Sequence, residues 1–137
     1  MSDSIRVLIT DDHFIVRQGL RLILKTAVDI ELVGEAENGE EALQLTAEHQ
    51  PHVALMDLRM PVMDGLTAIE QLGQRHPQVA VIILTTYNEY EMMMRGFKLG
   101  ARSYMLKDTD RETLLNTNPA AERAESLFKP DVVNRAF

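Results

Sequence analysis

The chain has no cysteine, which excludes a disulfide framework, a thiolate metal site and a cysteine nucleophile, and agrees with a reducing compartment. It is short of positive charge: 14 lysines and arginines stand against 21 aspartates and glutamates, a formal net charge of -7. That balance repels phosphates and supplies no cationic patch from which counterions are released, so the chain by itself is not expected to grip nucleic acid. Long apolar runs are missing as well. The longest, such as Val79 to Leu84, fall far short of a bilayer span, and the opening Met1-Ser-Asp-Ser lacks the basic start of a secretion signal. No membrane contact and a cytoplasmic location are expected. There is no Gly-x-Gly, no internal repeat and no low-complexity tract. What is present, 137 residues at 45% hydrophobic and 26% charged, suits one globular core that buries roughly two-thirds of the unfolded chain's surface.

Short β-branched runs alternate with segments of helical spacing, five times over, which is the rhythm of an α/β fold. The runs are Ile5 to Ile9, Glu31 to Ala36, Val53 to Met56, Val79 to Leu84 and Arg102 to Leu106. The third and fourth are apolar on both faces, as buried parallel strands are. Val16, Leu20, Ile23 and Leu24 recur at i, i+4, i+7 and i+8, and Leu66, Ile69 and Leu72 repeat at similar pitch, so both stripes predict helices packed on the sheet. Asn38 with Glu41 three residues on, and Asp64 before Gly65, mark helix starts; Gly100 is placed to close the helix that ends near Leu99. Right-handed crossovers then give an open parallel sheet covered on both sides. Met92, Met93 and Met94 are expected on a helix partly in the core. Near the end, Thr109 to Thr117 starts a helix that Asn118-Pro119 interrupts, so a kink or two short helices are expected. Residues 1–128 form the domain on this reading, and 129–137, from Lys129-Pro130 on, a linker or tail.

Ligands of an open parallel sheet bind beyond the carboxyl ends of its strands, where the strand order reverses. There the chain places Asp11-Asp12 after the first strand, Asp57 after the third, Thr85-Thr86 after the fourth and Lys107 after the fifth. If the order is 2-1-3-4-5, the three aspartates converge. Two carboxylates 4 Å apart repel by about 4 kcal/mol at an effective dielectric near 20, so either one is protonated or a divalent cation sits among them. An oxygen-only ligand set selects a hard ion, and Mg²⁺ fits best, with Mn²⁺ as an alternative. With a lysine and a threonine opposite, these are the parts for handling a phosphoryl group: Asp57 as acceptor, Lys107 neutralising oxygens, and a hydroxyl of Thr85, with Thr86 as rival, donating a hydrogen bond. Asp64 reads as a helix cap. His13, His49, His52 and His76 read as loop or helix-end residues without metal-ligand company.

The joint pattern Asp11-Asp12, Met56-Asp57-Leu-Arg-Met-Pro-Val-Met-Asp-Gly65, Leu84-Thr85-Thr86 and Tyr104-Met-Leu-Lys107 resembles the receiver domain of bacterial response regulators over roughly Ile5 to Leu115. Asp12-His13, Arg17-Gln-Gly-Leu20, Gly100-Ala101 and Lys107-Asp108 are similar to receivers of the NarL/FixJ class, whose members usually carry a LuxR-type helix-turn-helix that this sequence does not contain. The resemblance implies a flavodoxin-like, doubly wound five-stranded sheet of order 2-1-3-4-5. It implies that Asp57 accepts a phosphoryl group from a sensor histidine kinase, and that Mg²⁺ is held by Asp12, Asp57 and the Arg59 carbonyl, with Asp11 acting through water. Thr85 and Tyr104 match the family's switch pair, and a homodimer on phosphorylation is implied, with output through a helix-turn-helix domain of a longer chain. Such a protein is not an enzyme beyond its own phosphorylation and slow dephosphorylation.

The sequence departs from the family at three places. Asp108 stands where many receivers have proline, Asn118-Pro119 falls in the expected fifth helix, and Arg59 stands at the site mouth, placed to pair with a carboxylate and tune access. A haloacid-dehalogenase-type phosphohydrolase is the first rival, but it wants an aspartate two residues after the nucleophile, where Arg59 stands. A flavodoxin-like binding module is the second; Asp11-Asp12 would repel its flavin phosphate. A degenerate receiver that signals without phosphate is a third, disfavoured by the complete acidic set.

Overall fold

A computed structural model describes residues 4–86 and 88–107. The expected helix from Thr109, its Asn118-Pro119 break, Asp108 and the 129–137 tail lie outside the described residues. Within them, the five runs form strands: β1 (Ile5–Thr10), β2 (Ile30–Ala36), β3 (Val53–Asp57), β4 (Ala80–Thr85) and β5 (Ser103–Leu106). They alternate with α1 (Phe14–Lys25), α2 (Gly39–His49), α3 (Gly65–Arg75) and α4 (Tyr90–Lys98). The sheet is parallel throughout in the order β2-β1-β3-β4-β5, as expected. Strand limits differ from the sequence reading by one residue at several ends. β2 also carries an irregularity: Val7 pairs with Leu32 but Leu8 with Gly34, leaving Val33 as an extra residue.

Because successive side chains face opposite sides of a sheet, each strand feeds two cores. Ile5, Val7, Ile9, Val53, Leu55, Ile82 and Leu84 pack with Leu24 of α1 and Ala27 on one side. On the other, Leu8, Ala54, Met56, Val81 and Ile83 pack with Ala42 of α2 and Ala68, Ile69 and Leu72 of α3, with Met92 and Met93 of α4 at the margin. Every residue of β3 and β4 is buried. The same alternation assigns sides at the strand ends: Asp57 follows Val53 and Leu55, while Thr85 follows Val81 and Ile83 toward α4.

The caps stand where the sequence puts them. The Asn38 side chain accepts from the Glu41 N–H, and Asp64 accepts from Thr67 N–H at 2.8 Å. The Glu41 carboxylate reaches back to the Glu37 N–H at 2.9 Å, one residue beyond the usual capping-box partner. Leu99 ends α4, and Gly100 follows with a φ of 122°. Gly65 has a different task. Its N–H donates to the Leu58 carbonyl at 2.9 Å, and a Cβ there would lie 2.1 Å from the Asp57 carbonyl oxygen. Only a residue without a side chain lets the first turn of α3 lie on the end of β3, and that contact fixes the peptide that presents Asp57.

Gly65→Ala is therefore expected to destabilise the fold by about 3 kcal/mol through overpacking against backbone. Gly73→Ala, whose added Cβ meets nothing closer than 3.6 Å, should gain about 0.5–1 kcal/mol from helix propensity. Urea midpoints of the two variants check both signs.

Candidate functional site

The ladder of the sheet carries on past its strands and gathers the charged residues. Asp11 N–H donates to the Ala36 carbonyl at 3.0 Å, extending β1, and Lys107 N–H donates to the Thr85 carbonyl at 2.7 Å, extending β5. Asp57 closes β3 between them. The result is a shared lysine: its Nζ stands 3.2 Å from Asp11 Oδ2 and 3.2 Å from Asp57 Oδ1. Asp11 and Asp57 are fully buried, and Asp12 stands beside them, partly exposed. The sequence-predicted acids and lysine are thus brought together.

One ammonium does not balance them. Burial, and then the neighbouring Asp11 charge, push the Asp57 carboxyl up to about 6, against the opposing pull of Lys107. Burial works to lower Lys107, but Asp57 and Asp11 outweigh it and raise the lysine above its usual value. Asp57 Oδ2 is buried and has no hydrogen-bond partner among the described residues. A buried acceptor left bare is costly, and here it lies in a group of oxygen donors that fits a hard cation. Candidate ligand atoms of Asp11, Asp12, His13 and Asp57 all lie within 4.8 Å of one another, an acidic pocket able to hold a metal ion.

His13 corrects the sequence reading, which gave no histidine such company. Its backbone N–H donates to Asp11 Oδ1 at 2.8 Å, and its Nδ1 lies 3.0 Å from the same oxygen and 3.3 Å from Asp12 Oδ1. Its position two residues past Asp11, in a turn after a strand, was the available signal. Arg17 was missed too. It is buried on α1, donates through Nη1 to the Asp11 carbonyl at 2.7 Å, and pairs through Nε with Glu35 at 3.2 Å. An arginine on the stripe of Leu20 and Leu24 was the clue, because a cation on a buried face needs partners.

The hydroxyl candidates separate. Thr85 is buried; its Oγ1 is 3.3 Å from both the Thr86 carbonyl and Glu89 Oε1. The Thr86 hydroxyl donates to Asn88 Oδ1 at 2.6 Å and is turned away. Tyr104 is about half exposed and meets Phe97 edge-on, centroids 6.4 Å apart. Arg59 does pair with a carboxylate: its Nε lies 2.9 Å from Glu89 Oε2. Among the described residues no helix is long and apolar enough to cross a membrane.

The family model for the response regulator receiver domain matches residues 7–118. The chain belongs to that family. It is 49% identical over 130 residues to the transcriptional regulatory protein YdfI of Bacillus subtilis, covering 95% of this chain and 61% of YdfI. To the response regulator VraR of Staphylococcus aureus it is 39% identical, covering 95% of this chain and 62% of VraR. The receiver therefore spans about three-fifths of the length of these relatives. Its fold matches the signal receiver domain described for the response regulator NarL of Mycobacterium tuberculosis with a TM-score of 0.78 at 29% identity, covering 93% of this chain and 98% of that one. These likenesses agree with the NarL/FixJ features of the sequence, and the chain is a receiver domain of a two-component response regulator.

Two outcomes test the receiver's energetics. Between pH 4 and 6 the unfolded Asp57 has released its proton while the folded one retains it, so stability falls as pH rises through that window. In the absence of divalent cations, Asp57→Asn should thus stabilise the fold by about 2–3 kcal/mol at pH 7, a gain that vanishes near pH 4; denaturant titrations across this range check it. Val62, exposed in the loop after β3, has a φ of 67° and sits under a Met63 N–H to Pro61 carbonyl bond of 2.7 Å. That is the strained form of a γ-turn, worst for a β-branched residue. Val62→Gly should gain about 1 kcal/mol net of the glycine's entropic cost, read as a raised thermal midpoint.

Proposed function

We propose that this receiver is controlled by phosphorylation of Asp57 from a sensor histidine kinase. The observation that carries it is the state of that carboxylate: buried, one oxygen on Lys107, the other bare, beside two more aspartates. In the step, an Asp57 oxygen attacks phosphorus and the bond from phosphorus to the donor's imidazole nitrogen breaks. The electron pair returns to that nitrogen, leaving an acyl phosphate on Asp57 and a free histidine. Lys107, already between Asp11 and Asp57, neutralises a phosphoryl oxygen, and the Thr85 hydroxyl donates to another. Slow attack by water regenerates the carboxylate, so turnover is self-directed and the chain is not an enzyme toward other molecules.

Asp12, Asp57 and the Arg59 carbonyl would hold Mg²⁺, or Mn²⁺ in its place, with Asp11 acting through water. The bare Asp57 oxygen and the three clustered carboxylates fit such an ion. When bound, the cation supplies the positive charge that lets a phosphoryl group approach three carboxylates. Asp11 is kept in register by Arg17 and His13, which grip its carbonyl and its carboxylate.

The added charge biases the packing of Thr85 and Tyr104, and with it the face made by α4 and β5. The proposed outputs are homodimerisation and, through a C-terminal helix-turn-helix in a longer chain, control of transcription in the cytoplasm. The length of the curated relatives beyond this region supports that reading.

Intact mass after incubation with acetyl phosphate and Mg²⁺ tests the proposal. The unmodified chain should gain the mass of one phosphoryl group, Asp57→Ala none, and Lys107→Ala should keep the fold but lose the response. Multiple-turnover hydrolysis of small phosphomonoesters would instead favour a phosphohydrolase.

A further inference from the structure

Glu89 immediately precedes α4 and is singled out by nothing in the sequence pattern, yet its carboxylate ties three segments together. Oε2 accepts from Arg59 Nε at 2.9 Å, from the loop after β3. Oε1 accepts from the Thr86 N–H at 3.2 Å and lies 3.3 Å from the Thr85 hydroxyl, at the end of β4. The Glu89 side chain is only 10% exposed, whereas Arg59 is 71% exposed. A hydroxyl has one proton to give, and among the described residues the acceptors within reach of Thr85 Oγ1, Glu89 Oε1 and the Thr86 carbonyl, lie off the phosphoacceptor. Asp57 Oδ2, meanwhile, has no donor among the described residues.

We propose that Glu89 is a positioning residue that, locked by Arg59, holds the Thr85 hydroxyl away from Asp57 in the unphosphorylated receiver; this rests on Asp57 being the phosphoacceptor. Phosphoryl oxygens on Asp57 are stronger acceptors than a shared carboxylate and carry more charge, so they compete for both the Thr85 proton and the Arg59 guanidinium. Glu89 then loses two partners at a nearly buried position, where an uncompensated charge is not tolerated. It must turn toward solvent, and the first turn of α4, which starts at the next residue, moves with it. Arg59 is in this way a lock on the switch threonine as well as a group at the mouth of the site.

The test is a double-mutant cycle on binding of Mg²⁺-beryllofluoride, a non-covalent mimic of the phosphoryl group, measured by calorimetry on the chain and on its Glu89→Ala, Thr85→Ala and doubly substituted forms. Releasing the hydroxyl should tighten binding about 3- to 10-fold in Glu89→Ala, and by less than about twofold when Thr85 is already alanine. An equal gain in both backgrounds would reduce Glu89 to a repelling charge, and no gain would remove its role altogether; either overturns the proposal. If Glu89→Ala does not fold, Glu89→Gln, which keeps an acceptor for the Thr86 N–H but loses the ion pair, carries the same cycle. A folded parent chain that does not bind the mimic at all would show that the receiver chemistry itself, and the latch with it, is wrong.

Discussion

Mutual repulsion of carboxylates that the sheet forces together governs this molecule. Asp11 and Asp57 are buried at the ends of neighbouring strands, Asp12 adjoins them, and among the described residues Lys107 is the ammonium that touches the pair. Burial strips Asp57 of most of the solvent that would relieve the repulsion, and its carboxyl is held far more weakly acidic than usual. A group in this condition gains from anything that brings positive charge to it. The same crowding makes an added phosphoryl group a large local perturbation, because the charge it introduces falls where little can be screened.

The rest of the structure can be understood as holding that arrangement in place. Strand alternation sends Asp57 and the Lys107 end of β5 toward one another and sends Thr85 toward α4. Gly65 brings α3 down onto the peptide behind Asp57. Arg17 and His13 grip Asp11 from the helix and turn that follow β1. Each restrains a short segment at the carboxyl edge, while the two hydrophobic clusters fix the strands from which those segments emerge. Val62 shows the cost, a β-branched residue in a strained turn between Asp57 and α3.

Much of this was legible in the sequence, for a physical reason. A parallel sheet buried on both faces reads as apolar runs, and the residues that follow each run mark the ligand edge, so Asp11, Asp57 and Lys107 stand out by position, while position alone left Thr85 and Thr86 as rivals. Asn38 and Asp64 are legible as caps because their bonds are local. The contacts of Arg17, His13 and Glu89 were not read, since what each does depends on where long side chains arrive after folding. Arg59 lies between: its position at the mouth was readable and its partner was not, because Glu89 is thirty residues away in the chain. The extra residue at Val33 in β2 was hidden for a similar reason, being a property of pairing with β1 rather than of β2 itself.

The most direct measurement is the ionisation of the Asp57 carboxyl carbon followed by ¹³C NMR, without and with saturating Mg²⁺. The account predicts a midpoint near 6 in the free chain, falling below about 4 once the cation is bound. An ordinary carboxylate midpoint in the free chain that does not move on adding Mg²⁺ would contradict it.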